Sequence, residues 1–256
     1  LYIDAICKGF DKMPKISAEL RIRLNQEFTE KFVESIRENT SLDYELIIVD
    51  NGSTKDTQEW VKEVSDNSII FELNQGFAKG FNAGIKIASG EYIMMANNDT
   101  EFPPNWDINL IENFSLYDKV GMVSPTYTSG AGTIALRKSI GENQILLQKF
   151  GKYPSGVGYL SKRSFINNII GGWSEDYYLA SGEDADFCYR IWSQNYNIVI
   201  DERVLIKHEG KVTTKSKIPK WKKLWKKNAR LFRRKWAFYY FFKYFARIYV
   251  SYRYDK

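Results

Sequence analysis

A few polar clusters and one histidine in this 256-residue chain carry the residue types that metal-assisted phosphate chemistry and proton transfer require. In "NND", Asn97 to Asp99, two amides and a carboxylate follow directly on the apolar run "EYIMMA". A hard divalent ion such as Mn²⁺ or Mg²⁺ takes oxygen ligands, and one carboxylate completed by diphosphate oxygens and water is a usual set. Asp99 is the candidate ligand; the competing reading is a capped turn ahead of Pro103 and Pro104. Farther on, "GGWSEDYYLASGEDADFCYRIW" gathers Glu175, Asp176, Glu183, Asp184 and Asp186. "ADFCYRIW" has a helical pattern, so Glu183 and Asp184 fall at a helix N-terminus, where the dipole favours negative charge. Acids there are commonly structural, and Asp186 is read that way. Glu183 and Asp184 can instead supply a general base if an acceptor hydroxyl comes within hydrogen-bond reach. His208, after the strand-like "VLIK", is the sole histidine, and a solitary histidine is usually structural or solvated.

Asp50 ends the β-branched run "YELIIVD", where a carboxylate can accept hydrogen bonds from a base edge or a ribose; an Asx turn with Asn51 and Gly52 is the alternative. Gly76, Gly80 and Gly84 in "NQGFAKGFNAG" would let backbone approach a nucleotide closely, although spaced glycines serve helix packing equally well.

The elements that must hold these clusters follow from periodicity. "YELIIVD" reads as a buried strand, and "DTQEWVKEV" from Asp56 as a helix with Trp60, Val61 and Val64 on one side. "SIIFEL" (68–73) reads as a strand, the stretch closing at Gly90 as a helix, and "EYIMMA" and "VGMVSP" (120–125) as strands. Strand, helix, strand, helix, strand predicts an α/β fold with a mostly parallel sheet covered by helices. Ligands gather beyond the carboxyl ends of such strands, so "DNGST", "NQGFAKGFNAG" and "NNDT" should face one crevice. At the start, "YIDAIC" reads as an edge or first strand and "ELRIRLNQEFTEKFVESIREN" as largely helical.

The net charge of +6 is unevenly spread: residues 1–214 hold 22 Lys+Arg against 30 Asp+Glu, and residues 215–256 hold 15 against one. This divides the chain into an acidic body, 1–214, and a basic aromatic tail, 215–256. In the tail, Trp221, Leu224, Trp225, Leu231, Phe232 and Trp236 fall near one helical face, opposite Lys222, Lys223, Lys226, Lys227, Arg230 and Arg233. That pattern predicts a helix lying in the interface of an anionic membrane. The alternatives are a helix packed on the catalytic domain and nucleic-acid binding, the last disfavoured by the acidic body. Two cysteines, Cys7 and Cys188, without CxxC spacing exclude a thiolate metal site or a disulfide framework and suit a reducing, cytosolic setting. No stretch reaches the ~18 uninterrupted apolar residues of a membrane span, and no basic-then-apolar leader opens the sequence.

Together, "ELIIVDNGSTKDT", "NQGFAKGFNAGIKIASGEYIMMANNDTEFPPNW", "GGWSEDYYLASGEDADFCYRIW" and "HEGK" closely resemble, in order and spacing, the GT-A glycosyltransferases of inverting family 2, particularly their rhamnosyltransferase-like bacterial members. That resemblance implies a GT-A fold and a donor-binding set of Asp50, Asn51, Gly76, Lys79, Asn82, Gly84, Asn97 and Asn98, with Asp50 reading the base. It further implies Asp99 and His208 as ligands of Mn²⁺ or Mg²⁺, Asp184 as catalytic base and Glu183 as a residue that helps to position the acceptor. The donor would be a UDP- or dTDP-sugar, and the acceptor a glycan or polyprenol-linked molecule of bacterial surface polysaccharide synthesis. The enzyme would be cytoplasmic, peripheral at the inner face of the membrane through its tail, with no nucleic-acid partner. Two departures stand out: the DxD-like element opens with an amide, and the "TYN"-like end of the first strand is not visible in "LYIDAICKGFDKMP". They leave open a catalytically weak glycan- or nucleotide-binding module, beside a nucleotidyltransferase of similar fold.

Overall fold

The computed structural model describes residues 14–22, 26–129, 144–147, 153–154, 156–179, 181–209 and 221–254. Among them, nine strands form one sheet: β1 (Ile16–Ile22), β2 (Tyr44–Asn51), β3 (Asn67–Phe71), β4 (Tyr92–Asn97), β5 (Thr100–Glu101), β6 (Val120–Ser129), β7 (Gln144–Leu147), β8 (Gly158–Lys162) and β9 (Asn197–His208). The spatial order is β3-β2-β1-β4-β8-β6-β9-β5, with β7 on β9. β1, β2, β3 and β4 are mutually parallel; β8 runs antiparallel to β4 and β6, and β9 runs parallel to β6. The sheet is therefore mostly parallel, as the alternation of elements predicts.

Helices cover both faces: α1 (Gln26–Asn39), α2 (Lys55–Val64) and α4 (Trp106–Leu116) on one, α3 (Phe77–Ile87), α5 (Glu183–Ser193) and the start of α6 (Trp221–Tyr254) on the other. The period-two pleat divides each strand's side chains between these layers. In β4, Tyr92, Met94 and Ala96 join the core with Phe32, Val61 and Trp106, while Ile93 and Met95 join that with Phe81, Phe187 and Trp236.

The start of the chain departs from expectation. Residues 19–22, read as helical, belong to the strand β1, and the helix begins only at Gln26; "YIDAIC" lies outside the described residues. β1 is central, hydrogen-bonded to β2 on one edge and β4 on the other. A strand buried in a parallel sheet normally reads as a continuous apolar run, and Glu19 and Arg21 break that signature. The strand whose tip was sought in residues 1–14 thus ends at Ile22, with "RLN" (23–25) beyond it outside the described residues.

The chain runs β1 to β2 to β3 in one direction and then returns to place β4 on the other side of β1. This reversal opens a crevice at the carboxyl ends of β1 and β4. The register sets Ile22 beside Asp50 and Arg21 beside Asn97. With one strand between them, the tips of β2 and β4 lie about 10 Å apart.

Candidate active site

Asp50 is fully buried at the tip of β2, its Oδ2 accepting hydrogen bonds from the Ser53 N–H (3.1 Å) and Gln58 Nε2 (3.3 Å). The Asx-type turn is therefore present, but Oδ1 is buried with no hydrogen-bond partner among the described residues. An unmade hydrogen bond on a buried carboxylate is costly, which marks Oδ1 as an acceptor awaiting a ligand donor.

The remaining residues of the donor side mostly build the wall. Asn51 donates from Nδ2 to the Gly76 carbonyl (3.0 Å) and accepts at Oδ1 from the Gln75 N–H (2.7 Å), tying β2 to the loop before α3. Gly76 has φ +90°, and a Cβ there would sit 3.1 Å from the Leu179 backbone, so the close approach of the two loops needs glycine. Asn82 holds the 171–175 loop by three bonds, to the Trp173 carbonyl (2.9 Å), the Trp173 N–H (2.7 Å) and Glu175 Oε1 (2.9 Å). Gly84 is buried within α3, and the exposed Lys79 bonds Gln75 Oε1 at 2.9 Å. Trp173 stacks with Phe187 (centroids 4.4 Å) and Tyr159 (5.8 Å), which also stack with each other (6.3 Å).

At the tip of β4, Asn97 donates to the Gly156 carbonyl (2.8 Å) and Asn98 to Thr29 Oγ1 (3.1 Å). Asp99 Oδ1 meets His208 Nε2 at 3.3 Å, 109 residues away in sequence, with both side chains about 15% exposed. Two devices make this meeting. The register of β9 on β6 shifts between Pro125 and Thr126, which re-aims its last turn of chain. The two-residue β5 then pairs Thr100 with His208. Carboxylate and imidazole 3.3 Å apart on one side of the crevice fit a shared divalent ion, and His208 Nδ1 is buried without a hydrogen-bond partner among the described residues. Among the described residues no third His, Cys, Asp or Glu joins them, and an ion held by this pair would take substrate oxygens and water as further ligands.

Glu183 and Asp184 open α5 after Gly182 (φ +102°) and lie across from Asn97. The Gly156 residue bridges the two motifs: its carbonyl accepts from Asn97, and its N–H donates to Asp184 Oδ2 at 3.1 Å. A Cβ on Gly156 would collide with the Asp184 carboxylate. Asp184 Oδ1 is buried with no hydrogen-bond partner among the described residues. Burial, and then the neighbouring Glu183 charge, push the Asp184 carboxyl up to about 8 against the pull of the Gly156 N–H. A carboxylate so tuned is a competent base near neutral pH.

Asp186, one turn into α5 and fully buried, is the structural residue expected. It accepts from Tyr177 Oη (3.2 Å), Arg190 Nε (2.9 Å) and Trp236 Nε1 (2.9 Å), and pairs with Lys235 Nζ at 2.9 Å. The helix of the basic tail thus packs on α5 through Phe232 and Trp236, while Trp225 stays 49% exposed. Phe232 and Trp236 belong to the aromatic face expected at the membrane, so that part of the face is covered by the protein instead, where Asp186 takes Trp236 and Lys235. No described helix is long and apolar enough to cross a membrane.

Sequence reasoning missed Gly156 and Trp173. The only local hint at the first is "YPSGVGY", an ordinary turn signal, and the second stands within a quoted motif without a role. A family model described as glycosyl transferase family 2 matches residues 23–167. A poly-beta-1,6-N-acetyl-D-glucosamine synthase of Staphylococcus epidermidis is 29% identical over 182 residues, 64% of this chain and 43% of that protein. An S. aureus synthase of the same name is 33% identical over 84 residues, 31% of this chain and 20% of its own length. The chain spans less than half the length of these curated relatives. Among solved structures, GalNAc-T7 with UDP, GalNAc and Mn²⁺ superposes with a TM-score of 0.64 at 14% identity, covering 78% of this chain and 45% of that one. The mannosyltransferase PcManGT from Pyrobaculum calidifontis, with GDP-Man and Mn²⁺, gives 0.60 at 15%, covering 84% and 65%. S. aureus TarS (1–349) gives 0.60 at 15%, covering 76% and 60%. At these identities the likeness is one of fold.

Proposed function

Because this chain belongs to glycosyl transferase family 2, we propose that it moves a sugar, with inversion, from a nucleoside-diphosphate sugar to a hydroxyl of a membrane-associated acceptor in bacterial surface polysaccharide synthesis. The observation that carries this reading is the Gly156 bridge, which holds the tip of β4 and the carboxylate of Asp184 on opposite sides of one residue. In this reading that contact would set the donor beside the base.

In this scheme Asp50 Oδ1 accepts from the nucleotide base, and Asn51, Gly76 and Asn82 keep the pocket wall in place. Lys79 and Gly84 complete the donor side, with Asn97 and Asn98 shaping the turn that presents Asp99. Asp99 and His208 would hold Mn²⁺ or Mg²⁺, which when bound would neutralise the charge that develops on the departing diphosphate. Asp184 takes the acceptor hydroxyl proton on Oδ1 as the oxygen–anomeric carbon bond forms and the carbon–diphosphate bond breaks; the nucleoside diphosphate leaves. A single displacement inverts the anomeric centre without a covalent carboxylate intermediate. Glu183, beside the base, raises its affinity for the proton. The tail, from residue 215, adds a basic surface with exposed Trp225 and Phe238 that suits an anionic membrane face.

The test is nucleoside diphosphate release from a panel of UDP-, dTDP- and GDP-sugars with Mn²⁺. Release from one donor, abolished by Asp99→Ala and by metal chelation, is expected; pyrophosphate in its place would mean nucleotidyl transfer. Donor binding with no product under any metal or acceptor would reduce the chain to a binding module.

A further inference from the structure

The first turns of α6 carry Lys222, Lys223, Lys226, Lys227 and Arg230, all exposed, and none of the five forms an ion pair with a described residue. With Tyr178, Leu179 and Leu224 they line an open cleft of about 760 Å³, a volume suited to a small-molecule ligand. Local electrostatics oppose this arrangement. The cations occupy the N-terminal end of the helix, where the dipole disfavours positive charge, and no acid stands in the first turn. Lys222 and Lys226, Lys223 and Lys227, and Lys226 and Arg230 are like-charged neighbours four residues apart. A bound anion would relieve both conflicts at once, and a violated local rule is what a functional site leaves behind.

The cleft is fixed against the candidate active site. Asn228 Nδ2 donates to the Tyr178 carbonyl (3.3 Å), Phe77 N–H donates to the Leu179 carbonyl (3.2 Å), and Lys235 and Trp236 anchor the same helix on Asp186. Leu179 precedes Asp184 by five residues, a reach of at most about 18 Å. Asp186, which receives the anchor, lies two residues beyond that base.

We propose that this cleft binds a phosphate group carried by the acceptor, so that the acceptor is a phosphate-bearing molecule and not a neutral glycan. The assignment to an acceptor rests on the transferase reading above; the binding of phosphate does not. Lysines contact phosphate as point charges, so affinity should fall steeply with salt, and Tyr178 and Leu179 offer the apolar surface on which the remainder of the acceptor would lie.

The experiment titrates the full chain with inorganic diphosphate by calorimetry in EDTA and low salt, which keeps metal-dependent donor binding and turnover out of the readout. A parallel arm measures co-sedimentation with phosphatidylglycerol vesicles. Diphosphate binding that weakens at least tenfold in the Lys222→Gln/Lys223→Gln/Lys226→Gln/Lys227→Gln variant, and persists in the corresponding fourfold Lys→Arg variant, is the expected result. Equal binding by the Gln variant, with its helix content preserved by circular dichroism, would place the phosphate elsewhere and overturn the proposal. Vesicle binding lost in the Gln variant with no diphosphate binding would assign the lysines to lipid headgroups, also overturning it. A silent donor panel alongside positive diphosphate binding would sink the transferase reading and leave the phosphate site standing.

Discussion

On the nucleotide side of the crevice, Asp50 is held by Ser53 and Gln58 from its own turn, while Asn51 ties the tip of β2 to Gln75 and Gly76 and Asn82 ties α3 to Trp173, 91 residues away. On the other side, Asp184 depends on Gly156, 28 residues away, and on a helix latched through Asp186 to Trp236, 50 residues farther along. The carboxylate at the tip of β2 is organised by local turn chemistry, the one at the start of α5 by contacts with distant segments. A strand-tip carboxylate can be fixed by a short motif; one that opens a helix across the crevice takes its place from the surrounding architecture.

The sharpest break of that contrast is Asp184→Asn, which should lower kcat about 10²–10⁴-fold with donor affinity little changed. Because the base works unprotonated, wild-type turnover should climb with pH and level off above about 8; a flat profile between pH 6 and 9 would remove Asp184 from that role. Next in size is Gly156→Ala, whose methyl displaces the carboxylate; a misplacement of this kind costs about 10²-fold, read as a fall in kcat at constant donor KM. Trp236→Phe keeps the ring and removes the bond to Asp186, which should cost about 1.5–3 kcal/mol in a chemical denaturation curve and reduce kcat as α5 loosens. Asp50→Asn should act on the other wall alone, raising donor KM about tenfold, the size of one lost hydrogen bond to a charged group. If it lowered kcat as much as Gly156→Ala, the division between walls would fail.

A separate effect is on the pH dependence of stability. The folded state holds the Asp184 proton more tightly than the unfolded chain, so this carboxyl imposes no charge penalty near pH 3.8 and an increasing one as pH rises to about 8. Asp184→Asn should flatten that decline, measurable as a difference in melting temperature between pH 5 and pH 8.

Much was legible without coordinates because the signals are local. "YELIIVD" and "EYIMMA" are runs of strand-forming residues stopped by turn formers, and they became β2 and β4. β1 was misread because Glu19 and Arg21 interrupt the apolar run that a central parallel strand should show, and their spacing beside "QEFTEKFVESIREN" imitates an amphipathic helix. Asp50, Asp99, Asp184 and His208 were each picked out from motifs, and the fold brings Asp99 and His208 to 3.3 Å.

By itself, then, the order of residues determined the α/β alternation, the polar tips of β2 and β4 and the acids at the start of α5, because turn chemistry, side-chain period and helix dipoles act over a few residues. Only the tertiary structure decided that Gly156 clasps Asp184, that a register shift in β9 delivers His208 to Asp99, and that the basic tail docks by Lys235 and Trp236. Those contacts join segments tens of residues apart, and their energies exist only once the sheet and both helical layers have closed around them.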